Sequence, residues 1–136
     1  LTTAVIDGAD GPRPLGVTEL IIEAGFYDYE HKYTEGKTVH VCPAEIPESI
    51  EALCREYALR VHRVLGCKGT SRTDFRWDDS QGEDGLFVLE TNTQPGMTPL
   101  SLVPEQAQYA GMEYADLVET IVKEALARFG GSDGGH

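Results

Sequence analysis

Three oxygen-bearing side chains carry the most chemistry in this sequence. Glu90 and Asn92 lie two residues apart in an extended stretch, so they project from one face of a strand. Asp74 lies on the preceding strand-like stretch, where a hairpin would bring it opposite them. Two carboxylates and an amide oxygen form a hard, oxygen-only donor set suited to Mg²⁺. Magnesium takes one or two protein carboxylates and fills its remaining positions with water and substrate phosphates. The plain alternative is a polar, solvated sheet face, since charged residues are mostly just exposed.

The elements that must position these residues follow from periodicity and turn signals. Thr2–Ile6 is β-branched and precedes the Asp7-Gly8 turn signal, so it reads as a strand. Gly8–Pro14 is heavily punctuated by Gly and Pro and reads as a loop. Val17–Glu23 reads as a second strand paired with the first, and Phe26–Tyr29 as extended. Glu30–Thr38 reads as an exposed loop, and Val39–Cys42 as a short strand. Pro47–Leu65 is the clearest helix: Ile50, Leu53, Cys54, Tyr57, Ala58, Val61 and Leu65 share a face, Pro47 suits the first turn, and Gly66 suits the cap. Two strands, Thr70–Trp77 and Leu86–Thr91, flank the acidic, glycine-containing link Asp78–Gly85, as in a hairpin. Thr93–Pro104 reads as a loop and Pro104–Tyr109 as a short helix. The spacing predicts a last helix over Tyr114–Phe129, with Leu117, Val118, Ile121, Val122, Ala125, Leu126 and Phe129 as its buried stripe. Residues 130–136 read as a flexible tail. The expected class is α+β, mainly antiparallel sheet with helices packed on one face.

Composition narrows the functional classes. The 136 residues include 40% hydrophobic and 25% charged side chains, ordinary for a globular domain, with a net charge of -12. That balance argues against nucleic acid and against an anionic membrane surface. No apolar run is long enough to span a bilayer. Cys42, Cys54 and Cys67 form no CxxC pair, which reads as small buried thiols in a reducing cytoplasm. The chain opens on strand-like residues without an initiator Met, so it reads as a fragment or a processed chain.

Four stretches together resemble the D-alanine–D-alanine ligases of the ATP-grasp superfamily. They are Phe26–Tyr33, Leu65–Asp74, Leu89–Thr98 and Ser101–Pro104. Four linked motifs in order are far more specific than any one alone. The resemblance covers nearly all of the chain except the tail, so residues 1–129 are expected to be an ATP-grasp C-terminal catalytic region. It implies that two D-alanines are joined at the expense of ATP, through an acyl phosphate, as a peptidoglycan precursor for the cell wall. It also implies two Mg²⁺ ions, with Mn²⁺ as a substitute, and a homodimer in the intact protein.

Carried over residue by residue, the resemblance makes Asp74, Glu90 and Asn92 the metal ligands, with Glu90 bridging the ions. Arg72 falls beside the acyl centre, on the same strand face as Asp74, where it could hold an oxyanion or a phosphoryl group. Its plain alternative is an ion pair in an acidic cluster. Gly96 matches the glycine whose N–H points at the oxyanion; the bland reading is a turn after Pro95. Ser101 and Leu102 match the positions that hold the second D-alanine's carboxylate. Lys32 and Tyr33 match a loop that closes over the site, with Lys32 on phosphate, and Tyr33 favours a dipeptide ligase over the D-alanine–D-lactate ligases. Phe26, Tyr27 and Leu89 are candidates for packing around adenine, though such residues beside a sheet usually belong to the core.

Some positions depart from the family pattern. Ser71 stands where many members have Gly, Thr91 where many have Ala or Val, and Pro99-Leu100 replaces a pair that is polar in some. The family's N-terminal domain and part of its central domain have no counterpart here. The expectation is therefore that the chain alone has little or no ligase turnover. Other readings are a related ligase with a D-lactate or D-serine nucleophile, and a non-enzymatic binding or dimerising fragment.

Overall fold

The computed structural model describes residues 1–22 and 38–130. The expectations for Phe26, Tyr27, Lys32, Tyr33 and the tail after residue 130 fall outside the described residues. In chain order the elements are β1 (Thr2–Gly8), β2 (Gly11–Pro14), β3 (Glu19–Ile22), β4 (Thr38–Val41), α1 (Glu48–Val64), β5 (Thr70–Trp77), a 3₁₀ segment (Asp79–Gly85), β6 (Leu86–Asn92), α2 (Leu102–Tyr109) and α3 (Tyr114–Gly130). An antiparallel sheet has the order β2-β1-β5-β6, and β3 and β4 form a separate pair. The class is α+β, as the pattern of elements implied.

The helices do not lie on one face of the sheet, as expected, but on both. Val5, Phe75 and Leu86 pack against Ile50, Cys54 and Ala58 of α1. Ala4 and Ile6 point the other way and pack against Val103 and Ala107 of α2 and Leu117 of α3. The reason is visible along β1, where every side chain from Thr2 to Asp7 is buried. A strand covered on both sides loses the in–out alternation of a one-sided sheet. Ile6, Ile50 and Leu117 are at most 2% exposed, and burial of each contributes about 2–3 kcal/mol of transfer free energy.

Two strand expectations need correction. The Gly8–Pro14 segment is not all loop: β2 pairs with β1 from Val5↔Pro14 to Gly8↔Gly11. Its prolines are tolerated because β2 is the sheet edge, where missing N–H donors cost no ladder bond. The strand after it pairs with β4, not with β1, and touches β1 through one isolated bridge, Thr2↔Thr18. Part of the β1 edge is taken instead by a side chain. Gln106 accepts the Ala4 N–H at 2.8 Å and donates to the Thr2 carbonyl at 3.0 Å, fully buried.

Helix α1 follows its predicted span, with Pro47 as N-cap and Gly66 past its end in the left-handed region at φ 66°. Its fully packed stripe is Ile50, Cys54, Ala58 and His62, every fourth residue, whereas Leu65 is exposed. Helix α2 begins two residues before Pro104, which a first turn accommodates. In α3 only Leu117 of the predicted stripe is buried; Val118, Val122, Leu126 and Phe129 are exposed. The helix carries two apolar stripes, and only the one through Leu117 and Ile121 meets the core. No helix among the described residues is long and apolar enough to cross a membrane.

Candidate functional site

The β5–β6 ladder settles where the predicted ligands stand. Arg72 pairs with Asn92 and Asp74 with Glu90, in direct cross-strand register. Directly opposed residues share a face, with Cβ atoms about 5 Å apart. All four therefore project from the sheet face that also carries Ala4 and Thr2, beyond the part covered by α2 and α3. Glu90 and Asn92 are exposed, and the Arg72 and Asp74 side chains are 20% and 22% exposed. The cluster sits on an open sheet surface. A cleft of about 390 Å³ lined by Asp7, His62, Cys67 and Glu124 lies elsewhere and shares no residue with it.

Asp74 is held from two sides. Arg72 grips it in a fork, Nε to Oδ1 at 3.1 Å and Nη2 to Oδ2 at 3.2 Å, and the buried Thr2 hydroxyl donates to Oδ1 at 2.6 Å. Glu90 has no hydrogen-bond or ion-pair partner among the described residues. Two carboxylates opposed across a ladder repel, and Arg72 offsets only part of that. The donor set thus fits a hard cation: oxygen atoms only, one carboxylate fixed and one free. Among the described residues no three His, Cys, Asp or Glu side chains form a metal-binding group. The third donor here would have to be the Asn92 amide, whose Oδ1 also accepts the Gln94 N–H at 2.9 Å.

The hairpin connection is rigidly built. Asp78 accepts from the Ser80 N–H and hydroxyl and from the Gln81 amide, and these bonds hold its carboxyl below the usual value. The Trp77 indole donates to the Gly82 carbonyl at 2.9 Å.

After Asn92 the chain runs into the loop that ends at Ser101, the N-cap of α2. Met97 packs against the core beside Ala4 and Ile6, and its carbonyl accepts the Tyr114 hydroxyl, which anchors the loop. Gly96 lies against Ser101: a Cβ there would stand 3.0 Å from Ser101 Oγ, so an added methyl group needs that hydroxyl to shift. Ser101 does not cap its own helix. Its Oγ turns back, accepting the Thr98 N–H at 3.1 Å and bonding Thr98 Oγ1 at 2.7 Å. The first N–H groups of a helix have no carbonyl one turn back, and the helix dipole adds partial positive charge there. With Pro104 lacking an N–H, Leu102 and Val103 supply such donors, an arrangement that suits a carboxylate.

The structure thus brings together Arg72, Asp74, Glu90 and Asn92 on one ladder face, and Gly96, Ser101 and Leu102 in the loop that follows. Leu89 is 62% exposed and is the residue skipped where the ladder passes from Asp74↔Glu90 to Phe75↔Val88, so it has no direct partner across the ladder. Sequence reasoning missed a buried polar network: His62 Nε2 meets Asp7 Oδ1 at 2.9 Å, His62 Nδ1 meets Ser71 Oγ at 2.7 Å, and Gly69 N–H donates to Asp7 Oδ2 at 2.9 Å. The signal was a histidine at the fourth-residue spacing of Ile50, Cys54 and Ala58, since a buried polar group needs partners. All three cysteines are free, and burial pushes the Cys54 thiol up to about 11.

Residues 1–123 match the family model described as D-ala D-ala ligase C-terminus. Over all 136 residues the chain is 68% identical to the D-alanine–D-alanine ligase of Erythrobacter litoralis, and it spans 41% of that relative's length. Among solved structures, it is similar to the D-alanine–D-alanine ligase of Bacillus anthracis complexed with ATP (TM-score 0.70, 28% identity, 93% of this chain and 39% of that one). It is also similar to the VanG D-Ala:D-Ser ligase of Enterococcus faecalis (TM-score 0.74, 30% identity, 90% of this chain and 34% of that one).

Proposed function

The chain belongs to the D-ala D-ala ligase C-terminus family, and from that premise we propose that it forms the metal-binding and acceptor-binding part of an ATP-dependent, cytoplasmic D-alanine–D-alanine ligase serving peptidoglycan synthesis. The observation that carries the proposal is the ladder register that sets Arg72 and Asp74 directly against Asn92 and Glu90. In this reading Asp74, Glu90 and Asn92 hold two Mg²⁺ ions, for which Mn²⁺ substitutes, and dimerisation belongs to the intact enzyme.

A carboxylate oxygen of the first D-alanine attacks the γ-phosphorus of ATP; the bond to the bridging oxygen breaks and ADP leaves. The amine of the second D-alanine then attacks the acyl carbon, gives a tetrahedral intermediate, loses a proton and expels phosphate. Divalent metal at the ladder cluster offsets charge on the triphosphate and on the transferred group. Arg72 keeps N–H donors beyond the two spent on Asp74, and these serve the phosphoryl oxygens and the oxyanion. Gly96 presents its backbone to the oxyanion, and Ser101 with Leu102 receives the second D-alanine's carboxylate. The resemblance assigns Lys32 to phosphate and Tyr33 to shielding the acyl phosphate from water, roles that fall outside the described residues. Phe26, Tyr27 and Leu89 flank the adenine.

The test joins this chain, unaltered, to the preceding part of the Erythrobacter litoralis relative in place of its own matching segment. D-alanine-dependent phosphate release from Mg-ATP, lost on Glu90→Gln, is the expected result; the chain alone is expected to release none. Release that persists undiminished in the Glu90→Gln protein would overturn the assignment. Likeness to a D-Ala:D-Ser ligase supports D-serine as a second nucleophile, so the assay compares D-alanine, D-serine and D-lactate against a fixed D-alanine donor.

A further inference from the structure

We infer that Thr98 is a positioning residue that aims the Ser101 hydroxyl at the acceptor carboxylate; this rests on the reading of Ser101 given above. A serine hydroxyl has one proton and two lone pairs. At an N-cap that oxygen usually turns toward the N–H groups of its own helix. Ser101 does not; its Oγ forms no cap bond and lies instead against Thr98. The Thr98 N–H already fills one lone pair, at 3.1 Å. The remaining partner, Thr98 Oγ1 at 2.7 Å, decides the direction of the Ser101 proton.

If the Thr98 hydroxyl donates, both lone pairs of Ser101 are filled and its proton is free to point outward. A carboxylate arriving beside the uncapped N–H groups of α2 fixes that direction: Thr98 O–H donates to Ser101, and Ser101 O–H donates to the anion. Such chains polarise one another, so the outer bond strengthens. Leaving Ser101 uncapped also keeps the first N–H groups of α2 available to the same anion. Gly96, lacking a Cβ, leaves the space beside Ser101 Oγ open, where an added Cβ would stand 3.0 Å away. Thr98 is exposed, so its substitution tests the bond rather than the fold.

The experiment measures steady-state kinetics of the joined ligase described above, with D-alanine saturating at the donor subsite and varied at the acceptor subsite. Thr98→Val, which keeps shape and loses the hydroxyl, is expected to raise KM for the acceptor by about five- to tenfold, the size of one net hydrogen bond. KM for ATP should stay unchanged, and Thr98→Ser should restore the acceptor KM to within about twofold. In a Ser101→Ala background Thr98→Val should add nothing, because the hydroxyl it aims is gone. An unchanged acceptor KM in Thr98→Val, or an equal effect with and without Ser101, would overturn the inference. An unchanged acceptor KM in Ser101→Ala itself would instead remove the reading of Ser101, and this inference with it.

Discussion

Asp74 and Glu90 stand directly opposite each other across the β5–β6 ladder, two carboxylates on one exposed face. Such pairing costs stability unless a cation lies between them. Glu90→Gln should therefore stabilise the metal-free chain by about 0.5 kcal/mol while lowering ligase turnover of the joined enzyme at least about a hundredfold. Urea denaturation in EDTA and the phosphate-release assay read the two halves separately. A variant that is less stable as well as less active would mean Glu90 serves the fold.

A methyl group at Gly96 should be felt at the acceptor subsite rather than in the fold. The Cβ of Gly96→Ala meets Ser101 Oγ at 3.0 Å, so the hydroxyl must shift. The expected consequence is an acceptor KM raised about tenfold, equivalent to about 1.4 kcal/mol, with the melting temperature nearly unchanged. Equal losses at the acceptor and at ATP would place the damage elsewhere.

Gln106 substitutes for a strand along part of the β1 edge, satisfying the Ala4 N–H, the Thr2 carbonyl and the Thr18 hydroxyl. Gln106→Leu would leave the Ala4 N–H buried without its partner, at about 1–3 kcal/mol, while the Thr2 carbonyl keeps the Thr18 N–H. A loss of about 2 kcal/mol in urea denaturation is expected, against under about 1 kcal/mol for an exposed control such as Gln108→Leu.

Cys54 gives a pH signature. Burial, partly opposed by the N-terminal charge and reinforced by Glu51, raises its thiol from the ordinary 9.0 to about 11. Over that window the unfolded chain releases the proton and the folded chain keeps it, so the unfolded state binds fewer protons and stability falls with rising pH. The contribution is whole below about pH 9 and gone above about pH 11. Cys54→Ala should flatten that part of the stability–pH curve, and the native thiol should resist alkylation at pH 8.

Part of the ladder cluster was legible beforehand, because alternation along a strand puts Arg72 with Asp74 and Glu90 with Asn92. That the two pairs meet on one face depends on the register shift between Asp74 and Phe75, which skips Leu89 and which no local signal announced. Helix α1 was legible from its four-residue stripe and its Gly66 cap. The rest depends on contacts distant in sequence. Pro12 and Pro14 signal a loop unless their strand is known to be the sheet edge. The sequence pattern puts the helices on one face; the cover of Thr2–Asp7 from both sides emerges only with the packing of α1 on one face and α2 and α3 on the other. The hydroxyl of Ser71 gained meaning only once α1 placed His62 Nδ1 at 2.7 Å from it. Val118, Val122 and Leu126 had the spacing of a buried stripe, and periodicity cannot distinguish a stripe that meets the core from one that does not.

The ladder cluster and the acceptor loop also differ in how they come into being. Arg72, Asp74, Glu90 and Asn92 all belong to one hairpin with a short, hydrogen-bonded connection, so closing it costs little chain entropy and the ligand set is assembled by local pairing. Ser101 and its helix depend on Gln106 reaching back across nearly the whole chain to Thr2 and Ala4. Cation binding and acceptor binding therefore rest on structure of unequal persistence. Under mild destabilisation the hairpin outlasts the docking of α2, and hydrogen exchange should find the β5–β6 amides protected after those of α2 have opened.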